Sequence, residues 1–215
     1  MIEAVVFDLD GVLLDSEQVW DDVREQLAKE RGGRWHEGAQ AAMMGMSSPE
    51  WSAYMHDEIG LSQPPEAINA EVVERMLARY REQLPLIDGA VDAVRRLAPE
   101  FRLGVASSSN RPLIEAFLDA ADVRELFATT VSSEEVAAGK PAPDVFLEAA
   151  RRLRVEPTAC AAVEDSANGL RAAAAAGMLV VAMPNPHYPP APETLALAAH
   201  VLDSLDDLTP ELLAS

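Results

Sequence analysis

The sequence is short of cysteine, of basic residues and of long apolar runs, and each shortage excludes something. Its 215 residues hold one cysteine, Cys160, so no intrachain disulfide can close. That thiol lies in the apolar run from Ala159 to Val163, where an inert, buried role is expected, and a reducing compartment with it. Against 36 Asp and Glu stand 17 Lys and Arg, a formal charge of −19, the wrong sign for a general nucleic-acid binder. No stretch reaches the roughly 20 consecutive apolar residues of a membrane helix. The opening MIEAVVFDLD has no basic leader before its apolar run stops at Asp8, so a cytoplasmic location is expected. Histidine is sparse as well: His36, His56, His187 and His200 form no i, i+4 zinc pair, although His187 lies in a loop that could reach a substrate.

What is present is a globular composition, 49% hydrophobic and 25% charged, at a length that suits one domain with a smaller insert. Short β-branched or apolar runs end in small polar or acidic clusters and are followed by helical text, the rhythm of a parallel sheet. The expected strands are Ala4 to Asp8, Arg102 to Ala106, Ala128 to Ser132, Ala159 to Val163, Leu179 to Ala182 and His200 to Leu202. Helices are expected from Pro112 to Ala121, from Pro143 to Leu153, and from Ser166 through the alanine block Ala172 to Ala176, stopping at Gly177. About ninety residues separate the first two strands, far beyond a usual crossover, so a domain is inserted there. From Ser16 to Pro85 the text is helical and punctuated by Gly32-Gly33, Ser47-Ser48-Pro49 and Pro64-Pro65, which predicts about four helices with Met43, Met55 and Met76 in their core. No tandem repeat is visible. Pro184 to Pro192 holds five prolines and reads as a loop, either a stiff connector or a substrate contact.

The chemistry gathers at strand ends. DLDGVLLDSE places Asp8 and Asp10 two apart, on one side of the chain where the first strand ends. Two carboxylates so close repel unless a cation or proton intervenes, and a hard, oxygen-seeking ion such as Mg²⁺ resolves the conflict. A calcium loop does not fit, since its fifth, sixth and twelfth positions would be Val12, Leu13 and Val19. The second strand leads into Ser107, Ser108 and Ser109, whose hydroxyls and free N–H groups can hold a phosphate. The third leads to Lys140 between stiffening prolines, and the fourth to Glu164-Asp165 followed by SANG. Asp15, with Gln18 three residues on, reads as a helix cap.

Taken together these four motifs resemble those of the haloacid dehalogenase superfamily, in the branch with a helical cap after the first strand. The resemblance implies an α/β fold: a Rossmann-like, doubly wound, mainly parallel sheet core (residues 1–15 and 86–215) with an all-helical cap (16–85). It implies phosphoryl transfer through an aspartyl-phosphate intermediate. Asp8 would be the nucleophile and Asp10 the general acid, then base; Ser107, Ser108 and Lys140 would bind the phosphoryl group, and Lys140 would restrain Asp8. Mg²⁺ would be held by Asp8, the Asp10 backbone carbonyl and Asp165, with Glu164 behind them. The cap would read the organic part of a small phosphorylated metabolite, a sugar phosphate above all, with Trp20, Met46, Ser47 and Ser48 as candidates alongside Arg75 and Arg79.

The expected activity is therefore Mg²⁺-dependent phosphatase action. Dehalogenation is disfavoured because the second and third carboxylates are retained. A sugar-phosphate mutase like β-phosphoglucomutase is the alternative, but Trp20 and Ser48 stand where that family carries His and Arg. A receiver-type signalling domain also phosphorylates an Asp, yet it lacks a long insert and late acidic pair. A noncatalytic relic would have no need to keep all five core residues. No nucleic acid, membrane or obligate protein partner is implied, and the surplus acids should form solvated faces.

Overall fold

The computed structural model describes residues 1–44, 46–185 and 189–214. The role expected of His187 falls outside the described residues, as does the tip of the Pro184 to Pro192 loop, Pro186 to Tyr188.

All six expected strands form one sheet: β1 (Ala4–Phe7), β2 (Arg102–Ser107), β3 (Phe127–Ser132), β4 (Cys160–Glu164), β5 (Leu179–Ala182) and β6 (His200–Val201). Their spatial order is β3-β2-β1-β4-β5-β6, and every pairing is parallel. Every residue of β1 is buried, as its unbroken apolar text requires of a strand covered on both faces. Phe7 lies level with Val105 of β2 and Val163 of β4, so the carboxyl ends of three strands are in register. The order reverses at β1, which makes the crevice beyond Phe7 the switch point where such sheets take ligands.

Four helices make up the insert expected from Ser16 to Pro85: α1 (Glu17–Glu30), α2 (Ala39–Met43), α3 (Ser48–Asp57) and α4 (Pro65–Glu82). Met43, Met55 and Met76 are buried among them as expected. The helices against the sheet are α5 (Ala90–Leu97), α6 (Arg111–Ala120), α7 (Asp144–Leu153) and α8 (Ala167–Ala175). The last three were expected. Helix α5 was not, although Ala90, Ala93, Val94 and Leu97 give it a clear apolar stripe.

The chain enters and leaves the helical insert on adjacent paths. The Asp15 N–H donates to the Pro85 carbonyl (2.7 Å), and the Ile87 N–H to that of Leu13 (3.1 Å). This corrects the capping role expected of Asp15, whose side chain is exposed. Ser16, not Asp15, is the residue before α1, and its hydroxyl is drawn away from the helix N–H groups to Asp10. On the far side α4 packs on α6, where Asn110 Nδ2 donates to Asn69 Oδ1 (3.1 Å). Among the described residues no helix is long and apolar enough to cross a membrane. Cys160 is buried, and burial pushes its thiol up to about 11, which keeps it protonated and inert.

Candidate active site

Asp8 follows β1 directly, and its carboxylate meets Lys140, carried on the loop between β3 and α7. Lys140 Nζ lies 2.7 Å from Asp8 Oδ1 and 2.5 Å from Glu164 Oε1, with only 5% of the lysine exposed. The second Glu164 oxygen accepts from the Asp165 N–H (3.0 Å), the Ser166 N–H (3.1 Å) and the Ser166 hydroxyl (3.1 Å). Glu164 is therefore fully engaged in holding Lys140 and the turn into α8. Burial alone would lower the lysine's proton affinity, but the charges of Asp8 and Glu164 outweigh it and hold Lys140 above the ordinary lysine value. Asp8 moves the other way from most paired acids: burial, with the negative charges of Glu164 and Asp10 added, pushes it up to about 8 against the pull of Lys140.

Asp165 completes the cluster. Its Oδ2 is buried without a hydrogen-bond partner among the described residues, and its carboxyl is held well above the usual range by burial and by the charges of Glu164 and Asp8. Carboxylate oxygens of Asp8, Glu164 and Asp165 lie within 4.8 Å of one another. Position 11 must be glycine here: its φ is +84°, and a β-carbon would overlap the Asp165 carboxylate. An orphaned buried oxygen in an all-oxygen donor set fits a hard divalent cation, which would relieve the repulsion that raises both aspartates.

Asp10 is held quite differently. Its Oδ1 accepts from the Ser16 hydroxyl (2.5 Å) and the Trp20 indole N–H (3.1 Å), and its Oδ2 from the Ser109 hydroxyl (2.5 Å). Sequence reasoning missed all three donors as a set, since Ser109 arrives from 99 residues away.

The expected serines divide by position. Ser107 is fully buried, and its Oγ accepts from the Ser109 N–H (3.0 Å), fixing the turn after β2. Ser108 lines the cavity above Asp8, and its buried hydroxyl has no partner among the described residues. That cavity is walled by Asp8, Asp10, Lys140 and Asp165 below and by Trp20, Met43, Met46 and Trp51 above. Of the insert residues expected at the substrate, Trp20 and Met46 line it. Ser47 instead closes a capping box with Glu50 at the start of α3, its Oγ 2.6 Å from Glu50 Oε2, and Ser48 is buried in the first turn. Arg75 and Arg79 are corrected outright: Arg75 pairs with Glu30 (2.6 Å) and Glu71 (2.7 Å), and Arg79 sits on a separate surface hollow with Asp22 and Lys29.

Two further wall residues, Glu17 and Arg24, carry charge and went unread. A signal for Arg24 existed. Trp20, Val23, Arg24, Leu27 and Ala28 form the buried stripe of α1, and a guanidinium inside an apolar stripe is the anomaly worth pursuing.

Comparison with known proteins gives a consistent picture. The model of haloacid dehalogenase-like hydrolases matches residues 2–177. Hexitol phosphatase B of Escherichia coli K12 is 35% identical over 219 residues, covering 97% of this chain and 95% of that protein. The crystal structure of CbbY from Rhodobacter sphaeroides in complex with phosphate superposes with a TM-score of 0.88 at 29% identity, covering 100% of both chains. A mutant of the same protein in complex with xylulose-1,5-bisphosphate gives a TM-score of 0.82 at 29% identity, with 97% and 96% covered.

Proposed function

This chain belongs to the haloacid dehalogenase-like hydrolases, and from that membership we propose that it hydrolyses phosphate monoesters of small metabolites, sugar phosphates foremost, through a phosphorylated Asp8. The observation that carries the reading is the Asp8–Lys140–Glu164 arrangement: a buried carboxylate held at 2.7 Å by a cation that Glu164 anchors from behind at 2.5 Å. Asp8 thereby has one oxygen committed to Lys140, which leaves the other for a phosphoryl group in the cavity that Asp8 lines.

Asp8 attacks phosphorus, the ester bond breaks, and the alkoxide that leaves needs a proton. Asp10 supplies it. The indole of Trp20 can only donate, so Asp10 Oδ1 must remain an acceptor; the Ser109 hydroxyl can turn round and accept, so Oδ2 is the oxygen that carries the proton. The same oxygen then takes a proton from the water that attacks the phosphoaspartate, returning Asp8 and releasing phosphate. Lys140 balances the charge on Asp8 and on the phosphoryl oxygens. The partnerless Ser108 hydroxyl and the Ser107 hydroxyl, which spends only a lone pair on the Ser109 N–H, donate to those oxygens. Mg²⁺, held by Asp8, Asp165 and the Asp10 carbonyl, would supply the remaining positive charge against the transferring group. The helical insert acts as the cap that excludes water and reads the leaving group, and a cytoplasmic setting suits the single, buried, reduced cysteine.

Hydrolysis is favoured over the mutase alternative because Trp20, tied to Asp10, offers no proton-accepting nitrogen where the mutases carry a His. The receiver alternative does not accommodate a phospho-acceptor on the first strand followed by four helices. Turnover of a generic aryl phosphate with Mg²⁺ tests the reading: Asp8→Asn should abolish it with the fold intact, and a chelator should silence the unaltered chain. Full activity in either case would sink the assignment.

A further inference from the structure

Arg24 is the anomaly of the insert. Its guanidinium packs against two indoles that meet each other edge to face, 4.5 Å from the Trp20 ring and 4.7 Å from that of Trp51, and only 5% of the residue is exposed. Cation–π attraction offsets part of the buried charge but gives the N–H groups no hydrogen-bond acceptor. Among the described residues the only hydrogen bond they make is a long one, 3.5 Å to Gln40 Oε1, Nε has no partner, and no carboxylate is within ion-pair distance. Burial lowers its proton affinity only to about 10, so it stays charged at neutral pH. A buried cation left this way is costly unless something else accepts from it. Arg24 lines the same cavity as Asp8 and Lys140, on the side where the leaving group of a bound phosphate ester must lie.

The charge of the cavity decides what that acceptor is. Asp8, Asp10, Glu17 and Asp165 line it against Lys140 and Arg24. With Asp10 holding the proton it donates and Glu17 ionised, one divalent cation leaves that set one charge positive, and the phosphoryl dianion of one substrate then turns it negative. A second anionic group would enter an already negative space. Uncharged oxygen atoms do not face this penalty. They also suit Glu17, whose Oε2 takes the Gln40 amide at 3.1 Å and which can accept from a hydroxyl, while the indole faces suit the C–H side of a carbon chain.

We propose that Arg24 is the specificity-determining residue of this chain: its guanidinium donates to hydroxyl or carbonyl oxygens of an uncharged, polyhydroxylated leaving group, so that polyol monophosphates are selected over alkyl phosphates and over substrates with a second anionic group. The proposal rests on the phosphatase reading above for the position of the phosphoryl group.

Inert phosphonates separate the two. Calorimetric titration of the Mg²⁺-loaded protein should give tighter binding of a hexitol phosphonate, by about tenfold or more, than of a hexyl phosphonate or a hexitol bisphosphonate. Arg24→Met should reduce the hexitol-over-hexyl ratio to about twofold, and Arg24→Lys, which keeps the charge without the planar fork, should retain part of it. The measurement on the unaltered chain stands even where Arg24→Met fails to fold. Equal binding of hexitol and hexyl phosphonates, tighter binding of the bisphosphonate, or a ratio that survives Arg24→Met would each overturn the proposal. Phosphate release from hexitol phosphate is assayed alongside. Arg24-dependent binding without release would sink the hydrolase reading alone, and release without an Arg24-dependent preference would sink this one alone.

Discussion

Lys140 and Arg24 are both 5% exposed, yet their surroundings are opposite. Lys140 is gripped by two carboxylates and stays protonated more firmly than a free lysine; Arg24 is gripped by two indoles, touches no carboxylate among the described residues and is weakened to about 10. The same burial acts on both, so neighbours make the difference. The core cation is satisfied by the chain itself and holds a fixed geometry. The insert cation is left open, and an incoming group completes it. Chemistry common to all phosphate esters is held by the cation that the chain satisfies, and selection among esters is assigned to the one it leaves open.

The comparison can be broken most severely at Lys140. Lys140→Met would leave Asp8 and Glu164 buried with no cation between them, and removing one partner of such a pair costs about 3–5 kcal/mol. Urea unfolding should show that loss together with loss of turnover. A variant as stable as the unaltered chain would mean that Lys140 does not neutralise the pair. A smaller effect is expected at Gly169 in the first turn of α8. Alanine there normally favours a helix by up to about 1 kcal/mol. Here its β-carbon would overlap the Glu164 carboxylate, which three donors hold in place and which cannot swing aside. Overlap should win, leaving Gly169→Ala about 2 kcal/mol less stable by thermal melting, with slower turnover as the anchor of Lys140 shifts. A stabilised Gly169→Ala would show that Glu164 is free to move.

How far the sequence carried these conclusions differs between the two regions. The strands were readable because buried parallel strands are near-continuous apolar runs, and the motif carboxylates were readable because they follow those runs directly. Even β6, two residues long, was marked by its position after the last apolar run. The partners of Asp10 were not readable. Ser16 was read only as the start of the helical insert and Ser109 as a phosphate ligand, and only the folded path brings both onto one carboxylate. In the insert, Ser47 and Ser48 stood in a suggestive place, but local capping of α3 claims one and burial in its first turn the other. Arg75 and Arg79 were attractive for their charge alone, but acidic neighbours absorb that of Arg75 and Arg79 lies on a separate surface hollow. Charge in a helix stripe, as at Arg24, proved more informative than charge by itself.

The mildest perturbation sharpens the comparison at Glu17, the acid on Arg24's side of the cavity. Burial first, then the negative charge of Asp10, pushes its carboxyl from the ordinary 4.5 up to about 7, against the pull of Arg24. In the folded chain it binds its proton more tightly than in the unfolded one. Its contribution to stability is therefore complete below about pH 4.5 and is lost as pH rises through about 7. Glutamine never ionises and escapes that loss. Glu17→Gln should match the unaltered chain at pH 4.5 and exceed it at pH 8 by about 1 kcal/mol, a figure reduced from the full linkage value because the side chain is partly open to the cavity. Urea midpoints at the two pH values read the difference. An equal gain at both would mean that Glu17 ionises as freely as a surface acid, and Arg24 would then have a mobile counter-charge at hand rather than an open place for a neutral ligand.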